Sequence, residues 1–272
     1  MQLGNASSEA RRGAKVLAMA NQKGGVGKTT TTLSLGAALA RLGKRVLVMD
    51  LDPHANASVH LSLFPEQQEH TVCELFEIPE GGDADATWNR IVRSREDVGF
   101  DFVPGSIRLS ELEVDLKERR NKGLILSRAL ESRKERYDYV LLDCPPHVGI
   151  LLVNALVASD LVVIPIQTDF LALYGIRLLF DTVKLLNKVM PRPVRYKALA
   201  TMYDRRASAC RRVLKLIRVK LGERSFETVI NMDTKFREAC AQGKVIFDID
   251  PGTRGALEYM QLAKEIIRDE DT

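Results

Sequence analysis

No apolar run in this 272-residue chain approaches the roughly 20 residues that cross a bilayer, and the opening MQLGNASSEARRGAK lacks the apolar core of a secretory signal. Membrane insertion and export are therefore not expected, and a cytoplasmic location is. Cysteine is scarce: Cys73, Cys144, Cys210 and Cys240 stand far apart with no C-x-x-C pair. That spacing argues against a zinc ribbon or a disulfide framework and leaves reduced, mostly buried thiols as the expectation. Neither charge sign dominates. A net charge of +4 is too small to name a polyanionic partner, so the placement of charge matters more than its sum. Internal repeats and low-complexity tracts are also missing. With 45% hydrophobic residues, the chain can bury a substantial core as one α/β domain.

Short apolar, β-rich runs alternate with helical patterns from end to end: Val16 to Ala20, Arg45 to Asp50, Phe100 to Pro104, Tyr139 to Asp143, Leu161 to Ile166, Lys197 to Tyr203 and Thr228 to Ile230. Such alternation predicts an α/β fold, a mostly parallel twisted sheet with helices on both faces, whose ligands sit beyond the strands' carboxyl ends. The polar residues 1–14 read as a mobile extension, 15–268 as the single domain and 269–272 as an acidic tail. Between Phe64 and Gly99 the pattern loosens around Glu80, Gly81, Gly82 and Asp83. This stretch, which holds the only tryptophan, Trp88, is expected to be a peripheral helical excursion.

What the chain does have is QKGGVGKTT, Gln22 to Thr30, directly after the first β run and before Leu35, Ala38, Leu39 and Leu42 at helical spacing. Glycines let a backbone turn tightly and bring its N–H groups onto phosphate oxygens, and the following helix aims its positive end at the anion. The cradle Lys23, Gly24, Gly25, Val26, Gly27, Lys28, Thr29 and Thr30 thus reads as a nucleoside triphosphate site. Lys28 would reach the terminal phosphates and Thr29 would offer its hydroxyl to Mg2+. The strict pattern begins with glycine, whereas this chain has Gln22 and then a second lysine, Lys23.

Two further strand ends carry acids. VLVMDLDPHAN ends its strand at Asp50 and sets Asp52 on the loop, and YVLLDCPP ends at Asp143. An acid beside a phosphate loop can hold the water shell of Mg2+ and another can orient the attacking water. Asp143 and Asp50 are accordingly candidates for the metal side and Asp52 for the water. Capping of the next helix is the alternative for each, and weighs most for Asp50. His54 and His147 lie on these loops without a metal-ligand partner at suitable spacing, and read as loop residues.

The ordered blocks KGGVGKTT, DLDP, DCPP, NAL at Asn154 to Leu156 and IPIQTDFLALYGI at Ile164 to Ile176 resemble the ParA family of partition ATPases. These are Soj-like members of the deviant Walker A class of P-loop NTPases, which also holds MinD and the nitrogenase iron protein. The resemblance runs from Val16 to Ile267. It implies an Mg2+-dependent ATPase in which Lys23 reaches across an ATP sandwich to the partner subunit's phosphates, so that homodimerisation depends on ATP. It also implies Asp52 as the hydrolytic aspartate. The chain departs from frequent family wording at His54 and Ala55 (DPHAN for DPQGN), at His147 (CPPS), and at Asn231, Met232 and Asp233 near the adenine (PRN).

Positive charge crowds one segment: Arg205, Arg206, Arg211, Arg212, Lys215, Arg218, Lys220 and Arg224. Within it Cys210, Val213, Leu214, Ile217 and Leu221 form an apolar stripe, while Arg211, Lys215 and Arg218 share another face. A cationic helix face suits phosphate-backbone binding with little base readout, and an ordinary solvated helix is the other reading. The family resemblance implies that Arg206 and Lys235 bind double-stranded DNA nonspecifically, in the ATP dimer. It further implies a ParB-like centromere-binding partner, a nucleoid-associated location, and chromosome or plasmid segregation as the work done. The acidic end, Arg268 to Thr272, does not suit a membrane-targeting helix. With the phosphate loop starting about twenty residues in, no helix-turn-helix domain for specific DNA reading is expected. The same ATPase could position another cargo, such as a chemoreceptor cluster or flagellum. An ATP-gated iron-sulfur protein would need Cys144 and a second cysteine that the sequence does not place.

Overall fold

The computed structural model describes residues 13–79, 82–169, 177–190 and 193–270. Residues 1–12 of the N-terminal extension, Glu80 and Gly81 of the turn, 170–176 of the IPIQTDFLALYGI block and 271–272 of the tail lie outside the described residues. Among the described residues, eight strands form one sheet: β1 (Lys15–Met19), β2 (Val46–Asp50), β3 (Arg93–Arg95), β4 (Phe100–Val103), β5 (Tyr139–Asp143), β6 (Leu161–Gln167), β7 (Tyr196–Tyr203) and β8 (Ser225–Asn231). Their order is β3-β4-β2-β5-β1-β6-β7-β8, and every pairing is parallel except β3 with β4.

Alternate residues of the central strands feed two cores. Val16 and Ala18 of β1, Leu47 and Met49 of β2, and Val140 and Leu142 of β5 face one layer, with Phe76, Trp88, Leu126 and Leu151. Leu17, Met19, Val46, Val48 and Leu141 face the other, with Leu35 and Leu39 of the Lys28–Arg41 helix and Tyr259 and Leu262 of the Arg254–Glu270 helix. Burial on both faces is why these strands read as unbroken apolar runs. At the edge, β8 alternates buried with partly or fully exposed positions instead.

Four expectations change. Strand β3 is not among the expected runs, because Arg-Ser-Arg offers no apolar period and a short edge strand needs only its backbone ladder to Phe100–Phe102. The Phe64–Gly99 stretch is not peripheral: Trp88, on the Ala84–Ile91 helix, is 0% exposed and its indole N–H donates to Ala129 O at 2.9 Å. Only Cys73 and Cys144 are buried, whereas Cys210 is half-buried and Cys240 exposed. The final helix also runs to Glu270, so Asp269 and Glu270 belong to it rather than to a tail.

Candidate functional site

The phosphate loop leaves the carboxyl end of central strand β1. Asn21 starts it: its Nδ2 donates to Pro165 O at 2.7 Å on β6 while its Oδ1 accepts the Lys23 N–H at 3.0 Å. Gly25 and Gly27 have φ of +71° and +92°. A Cβ built on either meets nothing within 4 Å, so the dihedral, not crowding by the protein, demands glycine at both positions. From β7, Thr201 Oγ1 donates to Val26 O at 2.8 Å and props the loop. Gly27 then caps the Lys28–Arg41 helix, whose first N–H groups have no carbonyl within the helix to meet and carry its positive dipole end. Lys28, at its first position, is buried.

The acids converge on this loop. Asp50 and Asp143 are register partners on neighbouring strands β2 and β5, and both are 0% exposed. Thr29 Oγ1 donates to Asp143 Oδ2 at 2.7 Å, and Thr32 Oγ1 donates to Asp143 Oδ1 at 3.1 Å. Burial, then the neighbouring Asp50 charge, pushes the Asp143 carboxyl well above the ordinary carboxylate range, against the pull of Thr29 and Lys28. Asp50 is also pushed up by burial, less so because Ser58 donates to its Oδ2 from both N (2.9 Å) and Oγ (2.7 Å), and Asp52 N to its Oδ1 at 3.2 Å. Asp50 therefore anchors the Asn56–His60 helix as well as bordering the site. Asp52 is buried on the following loop, and its Oδ1 accepts from His54 N and from His54 Nδ1, each at 3.0 Å.

This donor set fits a magnesium ion shared with phosphates. Among the described residues no three His, Cys, Asp or Glu side chains gather into a cage. Mg2+ asks only for one or two carboxylates, a hydroxyl and phosphate oxygens, and two repelling buried acids beside a threonine hydroxyl supply the protein's share.

The other sequence-predicted residues lie around this centre. Lys23 Nζ donates to Gln167 Oε1 (3.1 Å) and Asp169 Oδ2 (2.6 Å) at the end of β6, outside its own loop. Asp233, after β8, accepts the N–H groups of Lys235 (2.9 Å) and Gly255 (3.1 Å), one on each oxygen. Arg206 pairs with Asp204 at 3.0 Å and Lys235 with Glu238 at 2.6 Å, and Arg211, Lys215 and Arg218 line the exposed side of the Ser208–Leu221 helix. Of the expected stripe, Val213 and Ile217 are fully buried, and Cys210, Leu214 and Leu221 half-buried. Cys144 is 0% exposed, its thiol donating to Leu142 O at 3.7 Å and pushed up by burial, which does not suit a cluster ligand. Thr32, Ser58, Gln167 and Asp169 were not singled out from sequence. Thr32 left a signal there, one helical turn after Thr29 in the TTTT run, and Gln167 and Asp169 lie within the IPIQTDFLALYGI block without a role of their own.

A glycine loop after a central parallel strand, a hydroxyl joined to a strand-end acid and a second acid in register define a P-loop nucleoside triphosphatase. Residues 14–195 match the AAA domain family AAA_31. Soj, the sporulation initiation inhibitor protein of Bacillus subtilis, is 39% identical over 253 residues, covering 93% of this chain and 98% of that protein. The chromosome partitioning protein ParA of Caulobacter vibrioides is 38% identical over 259 residues, covering 94% and 95%. Among solved structures, cobyrinic acid a,c-diamide synthase of Mycobacterium smegmatis with bound ADP and magnesium superposes with a TM-score of 0.79 at 29% identity, covering 95% of this chain and 96% of that one. The chain belongs to the ParA family of partition ATPases.

Proposed function

We propose that this protein is an Mg2+-dependent ATPase that dimerises on binding ATP, coats DNA nonspecifically as the dimer, and leaves it when a ParB-like partner stimulates hydrolysis. The observation that carries the enzymatic part is the 2.7 Å bond from Thr29 to Asp143, which joins the phosphate loop to the strand-end acid. In this reading Gly24, Gly25, Val26, Gly27 and Thr30 offer backbone N–H groups to the triphosphate, and Lys28 lies along it. Thr29 and Asp143, with Asp50 behind them, hold Mg2+. When bound, the metal neutralises charge that develops on the transferring phosphate oxygens. Asp52 receives a hydrogen of the attacking water and aligns it, and Asp233 borders the adenine.

Lys23 supports the dimer because its ammonium is already held by groups outside its own loop, on a side chain 30% exposed. A cation on a flexible stem at a two-fold face can exchange those partners for a second subunit's phosphates, which makes association conditional on ATP. Arg206, Arg211, Lys215, Arg218 and Lys235 would then form one DNA-facing surface per subunit. Doubling it on a dimer multiplies retention through an effective concentration gain of about 100-fold or more. Such a dimer sits on the nucleoid in the cytoplasm and moves a chromosome or plasmid. Lys28→Ala and Asp52→Ala proteins should release phosphate from Mg-ATP at least ~100-fold more slowly than the parent. Parental rates in both would remove the site assignment.

A further inference from the structure

We propose that His54 is a positioning residue for hydrolysis, its imidazole clamping one oxygen of Asp52 so that the other is presented to the attacking water. The proposal rests on the reading of Asp52 as the hydrolytic aspartate.

The clamp is local and specific. Ala55 N donates to Asp52 O at 2.8 Å, closing a tight turn through Pro53 and His54. Ala55 holds that turn at φ 49° and ψ 38°, in the left-handed region, although it is not glycine and is fully buried. That conformation is strained for an alanine, so the surrounding structure enforces the turn. Its effect is to fold the His54 ring back over the carboxylate two residues earlier. Oδ1 of Asp52 then accepts two hydrogen bonds from the same residue, while Oδ2 has no hydrogen-bond partner among the described residues. Nδ1 can bond to a carboxylate oxygen only as a donor, whether the ring is neutral or charged, so the contact fixes which ring nitrogen carries hydrogen.

Burial separates this role from packing. The His54 side chain is 70% exposed and that of Asp52 only 6%. A histidine kept for the core would be buried, as His60 is, with its Nε2 on Lys244 O at 2.8 Å. His54 instead spends its one side-chain bond on a carboxylate that a backbone N–H already satisfies. The fold does not need that second donor, but a carboxylate that must face one direction does. Two donors on Oδ1 hold the group against rotation and leave Oδ2 as its free acceptor. Small misplacements of a group that aligns a nucleophile cost up to about 100-fold in rate.

The test is steady-state hydrolysis of Mg-ATP by the full chain carrying His54→Ala, His54→Asn, His54→Phe or Asp52→Ala, with melting temperature and ATP-induced dimerisation measured alongside. His54→Ala and His54→Phe should lose about 10-fold or more in kcat with KM, melting temperature and dimerisation nearly unchanged. His54→Asn, whose amide N–H can reach the same oxygen, should recover most of the loss. An inactive Asp52→Ala beside a His54→Ala of parental kcat overturns the His54 assignment alone, as does an equal kcat loss in the Asn and Ala proteins. Parental kcat in Asp52→Ala removes the hydrolytic aspartate itself, and the clamp with it. Should His54→Ala melt early, the Asn-to-Phe ratio of kcat decides by the same criterion.

Discussion

Asp143 and Asp50 are two fully buried acids, side by side at the ends of adjacent strands. Their carboxyls, pushed up to about 8 and about 6, hold protons in the nucleotide-free fold that they lose in the unfolded chain. Because the folded state binds more protons between the ordinary carboxylate range and those values, its stability falls as pH rises through that window. Asp143→Asn removes the larger part of this penalty. The nucleotide-free variant should therefore melt roughly 3–6 °C above the parent near pH 8, and show no gain near pH 4. A scan of melting temperature against pH checks it, and a gain that is flat in pH would disprove the linkage. At this scale the sequence was informative wherever one residue type had one job. Asp143 was legible because an acid closing the apolar run YVLL is conspicuous, and Lys28 and Thr29 because a glycine loop precedes them. Ser58 and Gln167 were not legible. An amide or hydroxyl acquires meaning only from the distant carboxylate or amine that the fold brings to it, and both types are common in loops.

Single elements were legible where burial is two-sided or strictly periodic. β1, β2 and β5 announced themselves as continuous apolar runs, and the last helix as Tyr259, Leu262, Ala263 and Ile266, all buried. β3 gave no such signal, since an antiparallel edge strand of two arginines and a serine is made by hydrogen bonds alone. What secures the opposite edge was also hidden. Glu265, 5% exposed, accepts the N–H groups of Glu227 (2.8 Å) and Thr228 (3.0 Å) and the Thr228 hydroxyl (2.7 Å), stitching the Arg254–Glu270 helix to β8. Replacing it with alanine leaves two backbone donors and a hydroxyl without their acceptor. Glu265→Ala should lose about 2–4 kcal/mol in urea unfolding, with a lowered midpoint and an unchanged slope. A midpoint within error of the parent would mean that water replaces the carboxylate at that edge.

Across the whole molecule, the sheet sorts the groups. The phosphate loop and all three acids follow the carboxyl ends of β1, β2 and β5, whereas the basic helix and Lys235 follow β7 and β8. The phosphate loop and the acids thus lie apart from most of the proposed DNA surface, with Asp233 beside Lys235 as the exception, and in the proposed mechanism the dimer links the two. Arg206→Glu and Lys235→Glu proteins should still sediment as ATP-dependent dimers yet no longer be retained on DNA, whereas Lys23→Ala should lose both properties. DNA retention by a Lys23→Ala monomer would break that link.

Taken by itself, the sequence determined the class of fold and the family, with its phosphate loop. Alternating buried strands and helices have few ways to pack, and a phosphate loop must be written in contiguous residues. Tertiary structure alone decided that Thr29 meets Asp143, that Asp50 doubles as an anchor for Ser58, that Lys23 rests on Asp169, and that Trp88 lies in the core. Each of these pairs residues that no local pattern joins or assigns burial to a segment with loose patterning. Such outcomes depend on which surfaces the sheet brings face to face, and no local pattern of side chains encodes that.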